Sequence, residues 1–169
     1  ENICQALEIT KQVEGDYVEI GVYLGASALT ALTYMQHTNI NRKSYFLDTF
    51  DGFNYKEADE STETHWNKDN NHHQLYGSNK TMEYIDNILT RECPDKFFKL
   101  IKANICRDSL PREVTKIAVA NIDVDMLEPT QAALTKVASK VVKGGIIIVE
   151  DAPSTPGLIG AYYAMETFL

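Results

Sequence analysis

The sequence is poor in cysteine and in long apolar runs, and each shortage excludes a class of protein. It has three cysteines in 169 residues, and none forms a Cys-x-x-Cys pair, so neither a zinc site nor a disulfide framework is predicted. Free thiols are typical of the reducing cytosol. The apolar runs are too short to cross a bilayer, and no secretory signal precedes the first predicted helix. We therefore expect a cytoplasmic protein that does not contact membranes.

Basic residues are also scarce. Lys and Arg number 16 against 24 Asp and Glu, for a formal net charge of -8, which disfavours a nucleic-acid partner because an acidic surface repels phosphates. The hydrophobic content of 44% predicts one globular domain over residues 1–169. The chain starts and ends abruptly, so we expect it to be the core of a longer protein. A homo-oligomer is compatible with these features.

Short apolar strands alternate with amphipathic helices along the chain. The predicted strands are 16–21, 44–48, 97–102, 116–123 and 145–150. The predicted helices are 1–12, 25–37, 78–89, 129–142 and 158–169, the fourth ending at a Lys143–Gly145 cap. This alternation predicts an α/β fold, a doubly wound parallel sheet with helices on both faces. Ligands of such folds bind beyond the carboxyl ends of the strands.

The end of the first strand carries two glycines in the order Glu-Ile-Gly-Val-Tyr-Leu-Gly-Ala-Ser, residues 19–27. Gly21 and Gly25 allow the backbone to turn and approach a ligand closely. The motif is not Gly-x-Gly-x-x-Gly, which argues against a dinucleotide and so against an NAD-dependent dehydrogenase. Glu19 before the turn favours a ligand with a positive group. The alternative is a tight turn that binds nothing.

The second strand ends at Asp48, where a carboxylate commonly accepts hydrogen bonds from a ribose. The alternative is an Asp that caps a turn. Beyond it, the polar segment 54–77 is expected to be a lid or a substrate loop. Its histidines lack metal-ligand spacing and are assigned to that loop: His65, His72 and His73.

Four carboxylates follow the fourth and fifth strands, which are neighbours in the predicted sheet. They are Asp123, Asp125, Glu150 and Asp151. Four like charges in one region favour a bound cation, and oxygen ligands favour magnesium over calcium. Adjacent strand residues face opposite ways, so Glu150 and Asp151 can share a metal only if the strand turns there. The alternative is that some of them cap helices or are solvated.

Five segments together resemble the macrocin-type O-methyltransferases, which use S-adenosylmethionine to methylate antibiotic sugars. The segments, taken from a resemblance over about residues 13–168, are Glu19–Ser27, Phe46–Phe53, Asp108–Pro111, Ile122–Thr130 and Gly144–Asp151. The resemblance implies a class I methyltransferase fold, Rossmann-like, with strand order 3-2-1-4-5 and the final antiparallel strands missing.

The resemblance also assigns cofactor-binding residues to four strand ends. Glu19 and Gly21 would border the methionine part, Asp48 would hold the ribose, and Asn104 and Ile105 would flank the adenine. The remaining cofactor-binding residues would be Tyr23, Gly25, Ser27 and Asp123.

For the reaction itself, the resemblance implies magnesium bound by Asp123, Glu150 and Asp151. Asp125 would be the base that accepts the proton of a substrate hydroxyl. Some family members instead use a histidine three residues after the first metal ligand, and Met126 occupies that place here. Leu127 and Ala152 also depart from the aromatic residues usual at their positions, which leaves the substrate open.

Three functions are therefore considered. The first is a metal-assisted O-methyltransferase acting on a hydroxyl of a sugar or small natural product. The second is a catechol-type enzyme that methylates a small phenol. The third is a non-catalytic domain that binds the cofactor alone.

Overall fold

The computed structural model describes residues 1–60, 81–150 and 159–169. Its strands are β1 (Asp16–Ile20), β2 (Ser44–Asp48), β3 (Phe98–Lys102), β4 (Ile117–Ile122) and β5 (Val141–Val149). Its helices, numbered among the described residues, are α1 (Asn2–Ile9), α2 (Ala26–His37), α3 (Lys56–Glu60), α4 (Thr81–Glu92), α5 (Leu127–Ala138) and α6 (Gly160–Phe168).

The five described strands form one parallel sheet in the order β3-β2-β1-β4-β5. The predicted doubly wound fold and its strand order are thereby confirmed. The order reverses between β1 and β4, because the chain first builds outward from β1 to β3 and then returns to the other side of β1. The connections that follow these two strands lead to helices on opposite faces of the sheet, and the space between such connections is where ligands bind in these folds.

Two apolar layers cover the sheet. On one face, Tyr17, Phe46 and Val119 pack with residues of α1, α2 and α4. On the other face, Val18 and Ala120 belong to a cluster that includes α5 and α6. All six residues of β4 are buried, which is typical of a central parallel strand and explains its continuous apolar sequence.

The boundary between the fourth predicted helix, which corresponds to α5, and the last strand differs from the sequence prediction. Helix α5 ends at Ala138, and β5 already begins at Val141. Between the pairs Ile117↔Val141 and Val119↔Ile146, β5 contains three more residues than β4, so Lys143–Gly145 lie in an irregularity of the strand. The cap prediction was wrong because β-branched Val141 and Val142 favour a strand once β4 is available to pair with them.

The predicted loop 54–77 contains near its start a short helix that was not predicted, α3. Residues 61–77, with His65, His72 and His73, lie outside the described residues, and the lid remains a prediction. No helix in the described ranges combines the length and apolarity that a membrane crossing requires.

Candidate cofactor and active site

A cleft opens at the carboxyl ends of β1, β2, β3 and β4. It contains about 600 Å³ of space, part of it open to solvent, a size suited to a small-molecule ligand. We define the cleft by its lining residues: Ile20, Gly21, Tyr23, Leu47, Asp48, Thr49, Gly52, Phe53, Tyr55, Ala103, Asn104, Ile105, Asp123, Val124 and Asp125.

Asp48, at the tip of β2, organises two loops of the cleft. Its Oδ2 accepts hydrogen bonds from the backbone N–H groups of Val22 (2.6 Å) and Tyr23 (3.1 Å), and its Oδ1 accepts one from Phe50 N–H (2.7 Å). The turn-capping interpretation of Asp48 therefore has a structural basis. Thr49 Oγ1 makes a further, long contact with Oδ1 (3.5 Å), so each carboxylate oxygen already accepts two hydrogen bonds and a ligand hydroxyl would take the place of the Thr49 contact.

Gly21 lies where β1 and β4 come closest beyond their last paired residues. A Cβ atom built on Gly21 would lie 1.7 Å from the carbonyl oxygen of Asp123, and its φ is 89°. Gly21 lines the cleft, so its predicted role in a close ligand approach stays a prediction, and the space that a Cβ would need is taken by the neighbouring strand end. Gly21 thus brings Asp123 to the edge of the cleft.

Glu19 is buried beneath the cleft and is not one of its lining residues. Its two carboxylate oxygens accept hydrogen bonds from Tyr17 Oη and Ser27 Oγ, both at 2.6 Å. Burial raises the pKa of Glu19 to about 7, although these two hydrogen bonds lower it and the charges of Asp123 and Asp48 raise it further. Any influence of Glu19 on a ligand would act through the turn above it.

Gly25 and Ser27 also have internal roles. Gly25 precedes α2 with a φ of 81°, and a Cβ there would contact Ile85 of α4 at 2.9 Å. Ser27 donates to Glu19. Neither lines the cleft, whereas Tyr23 does.

The turn after β3 forms the opposite wall through Asn104 and Ile105. The Asn104 backbone N–H donates to Asp108 Oδ2 (2.8 Å), and Asn104 Oδ1 accepts from Cys106 N–H (2.9 Å). Ile105 is 7% exposed. The side chain of Asn104 is thus used to shape the turn, and Ile105 contributes apolar surface.

The tip of β4 supplies Asp123 and Asp125. The backbone N–H of Asp123 donates to Ile20 O (2.8 Å), which holds it against the end of β1. Asp125 has a φ of 64°, and Tyr23 and Phe50 near the cleft also have positive φ. Backbone strain of this kind concentrates at functional sites. The three residues account for all but one of the non-glycine positive φ values in the described ranges, the other being Asn39.

Glu150 follows β5 directly, and its backbone N–H donates to Ile122 O (2.9 Å). The residue after Ile122 is Asp123, so the two carboxylate-bearing positions are adjacent at the strand tips. Asp151 lies outside the described residues. In residues 1–60, 81–150 and 159–169, no group of three or more His, Cys, Asp or Glu side chains could hold a metal ion.

Several residues of the cleft were not predicted, most notably Tyr55. Burial raises the pKa of Tyr55, and the charges of Asp125, Asp48 and Glu57 add to this effect, so its ring lies within the acidic part of the cleft. Its signal in the sequence is an aromatic residue within an otherwise polar segment. Asn121 was also missed: it is 1% exposed on β4, and neither its Nδ2 nor its Oδ1 has a hydrogen-bond partner among the described residues.

The cleft is strongly acidic. Its described lining includes Asp48, Asp123 and Asp125 and contains no Lys or Arg, which favours a ligand that carries positive charge. A doubly wound sheet, an acidic cleft at the point where the strand order reverses, and a Gly-x-x-x-Gly turn in place of a dinucleotide loop together define a Rossmann-like methyltransferase fold.

The sequence model of the macrocin O-methyltransferase family (TylF) matches residues 1–166. The chain belongs to this family and is an S-adenosylmethionine-dependent O-methyltransferase. A comparison with curated protein sequences returned no match.

Solved structures with this fold include two O-methyltransferases, each with 22% sequence identity to the chain. NovP superimposes with a TM-score of 0.79, covering 98% of this chain and 69% of NovP. CalS11, a calicheamicin methyltransferase, superimposes with a TM-score of 0.74, covering 98% of this chain and 68% of CalS11. A Podospora anserina methyltransferase solved with S-adenosylhomocysteine (SAH) is more distant, with a TM-score of 0.56, 13% identity, and coverage of 99% of this chain and 66% of that one.

Proposed function

We propose that the protein transfers the methyl group of S-adenosylmethionine to a hydroxyl of a sugar or of a small natural product. The observation that carries the proposal is the acidic cleft at the tips of β1 and β4, in a chain of the macrocin O-methyltransferase family. In the reaction an O–CH₃ bond forms, the S–CH₃ bond of the sulfonium breaks to give the thioether SAH, and the hydroxyl proton is released.

The residues that would hold the cofactor line the cleft from Gly21 to the turn after β3. Asp48 lines this path and would accept a ribose hydroxyl in place of its long contact with Thr49, while Asn104 and Ile105 would border the adenine. Asp123 and Asp125 at the tip of β4 would attract the positive sulfonium and ammonium groups of the cofactor. The cleft aligns the methyl group with the incoming hydroxyl, and such alignment is the main source of rate in a displacement of this kind.

Asp125 is the base in this proposal. It lines the cleft beside the acidic tip of β4, and its positive φ directs it away from the path of a regular strand. An ionised carboxylate within hydrogen-bond reach of the hydroxyl accepts the proton as the C–O bond forms.

Replacing Asp125 with Asn tests this role. We expect turnover to fall by about 100-fold or more, the usual contribution of a positioned base, while the Kd for SAH stays within about twofold because the side chain keeps its size. Asp86→Asn, on the exposed face of α4, is the matched control and should retain full activity. Near-normal turnover of Asp125→Asn would exclude Asp125 as the base.

Metal assistance is the second part of the proposal. Asp123 and Glu150 end adjacent strands, and their charges act on one buried cluster: Asp123 raises the pKa of Glu19, and Glu150 raises that of Tyr17. Asp123 and Glu150 would supply two hard oxygen donors to a magnesium ion, and Asp151, outside the described residues, would be the third ligand. What the ion supplies when bound is a lower pKa and a fixed position for the substrate hydroxyl.

Chelation tests the metal. Activity should disappear after treatment with EDTA and return on addition of MgCl₂, and Asp123→Asn should abolish the magnesium-dependent heat measured by calorimetry. Full activity in excess EDTA would rule out metal assistance while leaving methyl transfer in place.

The methyl acceptor is assigned by a substrate screen. One neighbouring structure is described as a TDP-rhamnose 3'-O-methyltransferase, so nucleotide-linked deoxysugars are the first candidates. The screen measures SAH production with these sugars, with their aglycone-linked forms and with catechols. Turnover of catechols alone would favour the small-phenol enzyme, and binding of SAH without turnover of any acceptor would favour a non-catalytic domain.

A further inference from the structure

Helix α3 joins two walls of the cleft through one carboxylate. Glu57 Oε1 accepts a hydrogen bond from Arg107 Nε (2.6 Å), and Glu57 Oε2 accepts one from Asn104 Nδ2 (3.1 Å). The Glu57 side chain is 24% exposed and that of Arg107 is 55% exposed. Both carboxylate oxygens of Glu57 therefore accept hydrogen bonds from the turn after β3, which lies about 50 residues further along the chain.

The amide of Asn104 is engaged on both sides by these contacts. Its Oδ1 accepts from Cys106 N–H, and its Nδ2 donates to Glu57. One N–H of Nδ2 and one lone pair of Oδ1 are thereby used within the protein, and these two contacts fix the orientation of the amide. Its function is to hold the turn, and with it Ile105, at a defined distance from α3.

The opposite side of α3 is anchored by apolar packing. Phe53, Ala58 and Met126 form a buried cluster with Tyr55 packed against it. Met126 directly follows Asp125, so this cluster joins α3 to the turn that carries the candidate base. The backbone N–H groups of Ala58 and Asp59 both donate to Tyr55 O (3.1 and 3.2 Å). Helix α3 thus contacts the tips of β2, β3 and β4 at once.

We propose that Glu57 is a positioning residue that couples cofactor binding to the order of α3. By holding Asn104 and Arg107, it sets the separation between Ile105 on one wall and Tyr55 on the other, and this separation is the width available to the cofactor. The inference rests on the proposed function, since it takes S-adenosylmethionine as the ligand of the cleft. Binding must then stabilise α3, and loss of the Glu57 contacts must weaken binding, because coupling between two sites is reciprocal.

The first experiment compares SAH binding by calorimetry in the wild type, Glu57→Gln, Arg107→Gln and the double variant. Glu57→Gln keeps an acceptor for Asn104 but removes the charge that faces Arg107. We expect each single variant to raise the Kd by about three- to tenfold, at the low end of typical coupling between sites. The double variant should bind like either single one, because both remove the same contact.

The matched control is Glu113→Gln. It breaks an ion pair with Lys99 of similar length, 2.7 Å, formed by half-exposed side chains that do not line the cleft. Its Kd for SAH should equal that of the wild type. In steady-state assays, Glu57→Gln should raise KM for S-adenosylmethionine by the same factor as the Kd and leave kcat within about twofold, a split that a general loss of folded protein would not produce.

The second experiment measures amide hydrogen exchange at Ala58 and Asp59. SAH should slow exchange at both amides in the wild type. In Glu57→Gln, the ratio of the exchange rates without and with SAH should be smaller, by the same factor as the increase in Kd. If the wild type binds SAH and both single variants bind it equally well, the coupling is overturned while the proposed function stands. If the wild type does not bind SAH, the proposed function itself fails. Should Glu57→Gln fold poorly, Arg107→Gln tests the same contact from its more exposed side.

Discussion

At the scale of single residues, the unusual chemistry lies beneath the cleft. Glu19 and Asn121 are register partners on β1 and β4, and both are buried. The carboxyl group of Glu19 is fully hydrogen-bonded, whereas the amide of Asn121 has no partner among the described residues. A buried polar group that has hydrogen-bond partners is tolerated, whereas one without partners lowers the free energy of unfolding.

Glu19→Gln should change how stability depends on pH. The pKa of Glu19 is about 7 in the folded protein against an ordinary 4.5, so between these values the folded state binds a proton that the unfolded state has released. The free energy of unfolding should therefore fall as pH rises through this window, by up to about 1.4 kcal/mol per pH unit. Glu19→Gln lacks this titration. The free energy of unfolding of the variant, measured relative to that of the wild type, should therefore increase from pH 5 to pH 7.

Urea unfolding with a chelator present measures this difference at several pH values. Glu83→Gln, on the exposed face of α4, is the control and should follow the wild type throughout. A pH-independent difference between Glu19→Gln and the wild type would mean that Glu19 titrates normally.

Asn121→Leu should stabilise the protein. Leucine has the branching of asparagine without the polar atoms, so the substitution removes two unsatisfied groups and should raise the free energy of unfolding by about 1 kcal/mol or more. Chemical denaturation measures the change. The control is Asn87→Leu, on the exposed face of α4. A loss of stability would instead indicate that Asn121 binds an internal water.

At the scale of helices and strands, the way in which the strand ends meet decides where the cleft forms. The segments that the sequence predicted well were those with a clear apolar period: β2 was predicted to the residue, and α2 differs by one residue at its start. The start of β5 was misplaced because Val141 and Val142 continue the helical pattern of α5 yet pair with β4 in the sheet. Helix α3 was missed because its apolar contacts, Phe53 and Met126, are not periodic within the helix.

Gly21→Ala should be severely destabilising. The added Cβ would overlap the carbonyl oxygen of Asp123, a backbone atom that cannot move without displacing β4, and the residue would also keep a φ of 89°. We expect a loss of about 4 kcal/mol or more in the free energy of unfolding, at the extreme of single substitutions. Gly144→Ala is the comparison, since its φ is similar at 86° but its Cβ would lie at an ordinary contact distance, 3.5 Å, from Val13 Cγ2. If the two variants lose equal stability in thermal melts, conformation alone and not the close strand approach sets the cost.

At the scale of the whole molecule, the sheet gathers distant residues into one acidic cleft. Asp48, Asn104 and Asp125 come from three different strand tips. Asp48 and Asp125 were singled out from the sequence by their positions after strands, and Asn104 by the family resemblance. Their individual roles remain predictions, but the topology that brings them together follows the general rule for doubly wound folds.

Cofactor product should stabilise the whole fold. At a concentration 100-fold above its Kd, a ligand that binds only the folded state adds about 2.7 kcal/mol, which for a domain of this size corresponds to a rise in Tm of roughly 5–10 °C. Scanning calorimetry with SAH should show this rise, and NAD at the same concentration should not. An equal effect of NAD would contradict the assignment of the cleft to S-adenosylmethionine.

The sequence by itself determined the alternation of strands and helices, the acidic strand tips and the family, because these depend on local periodicity and on motifs read along the chain. Only the tertiary structure decided what each tip faces. Gly21 faces a neighbouring backbone, Glu19 is enclosed beneath the cleft, and Glu57 meets Arg107 and Asn104 across about 50 residues. Such contacts depend on how the strands and loops pack in three dimensions, and no local pattern in the sequence encodes that packing.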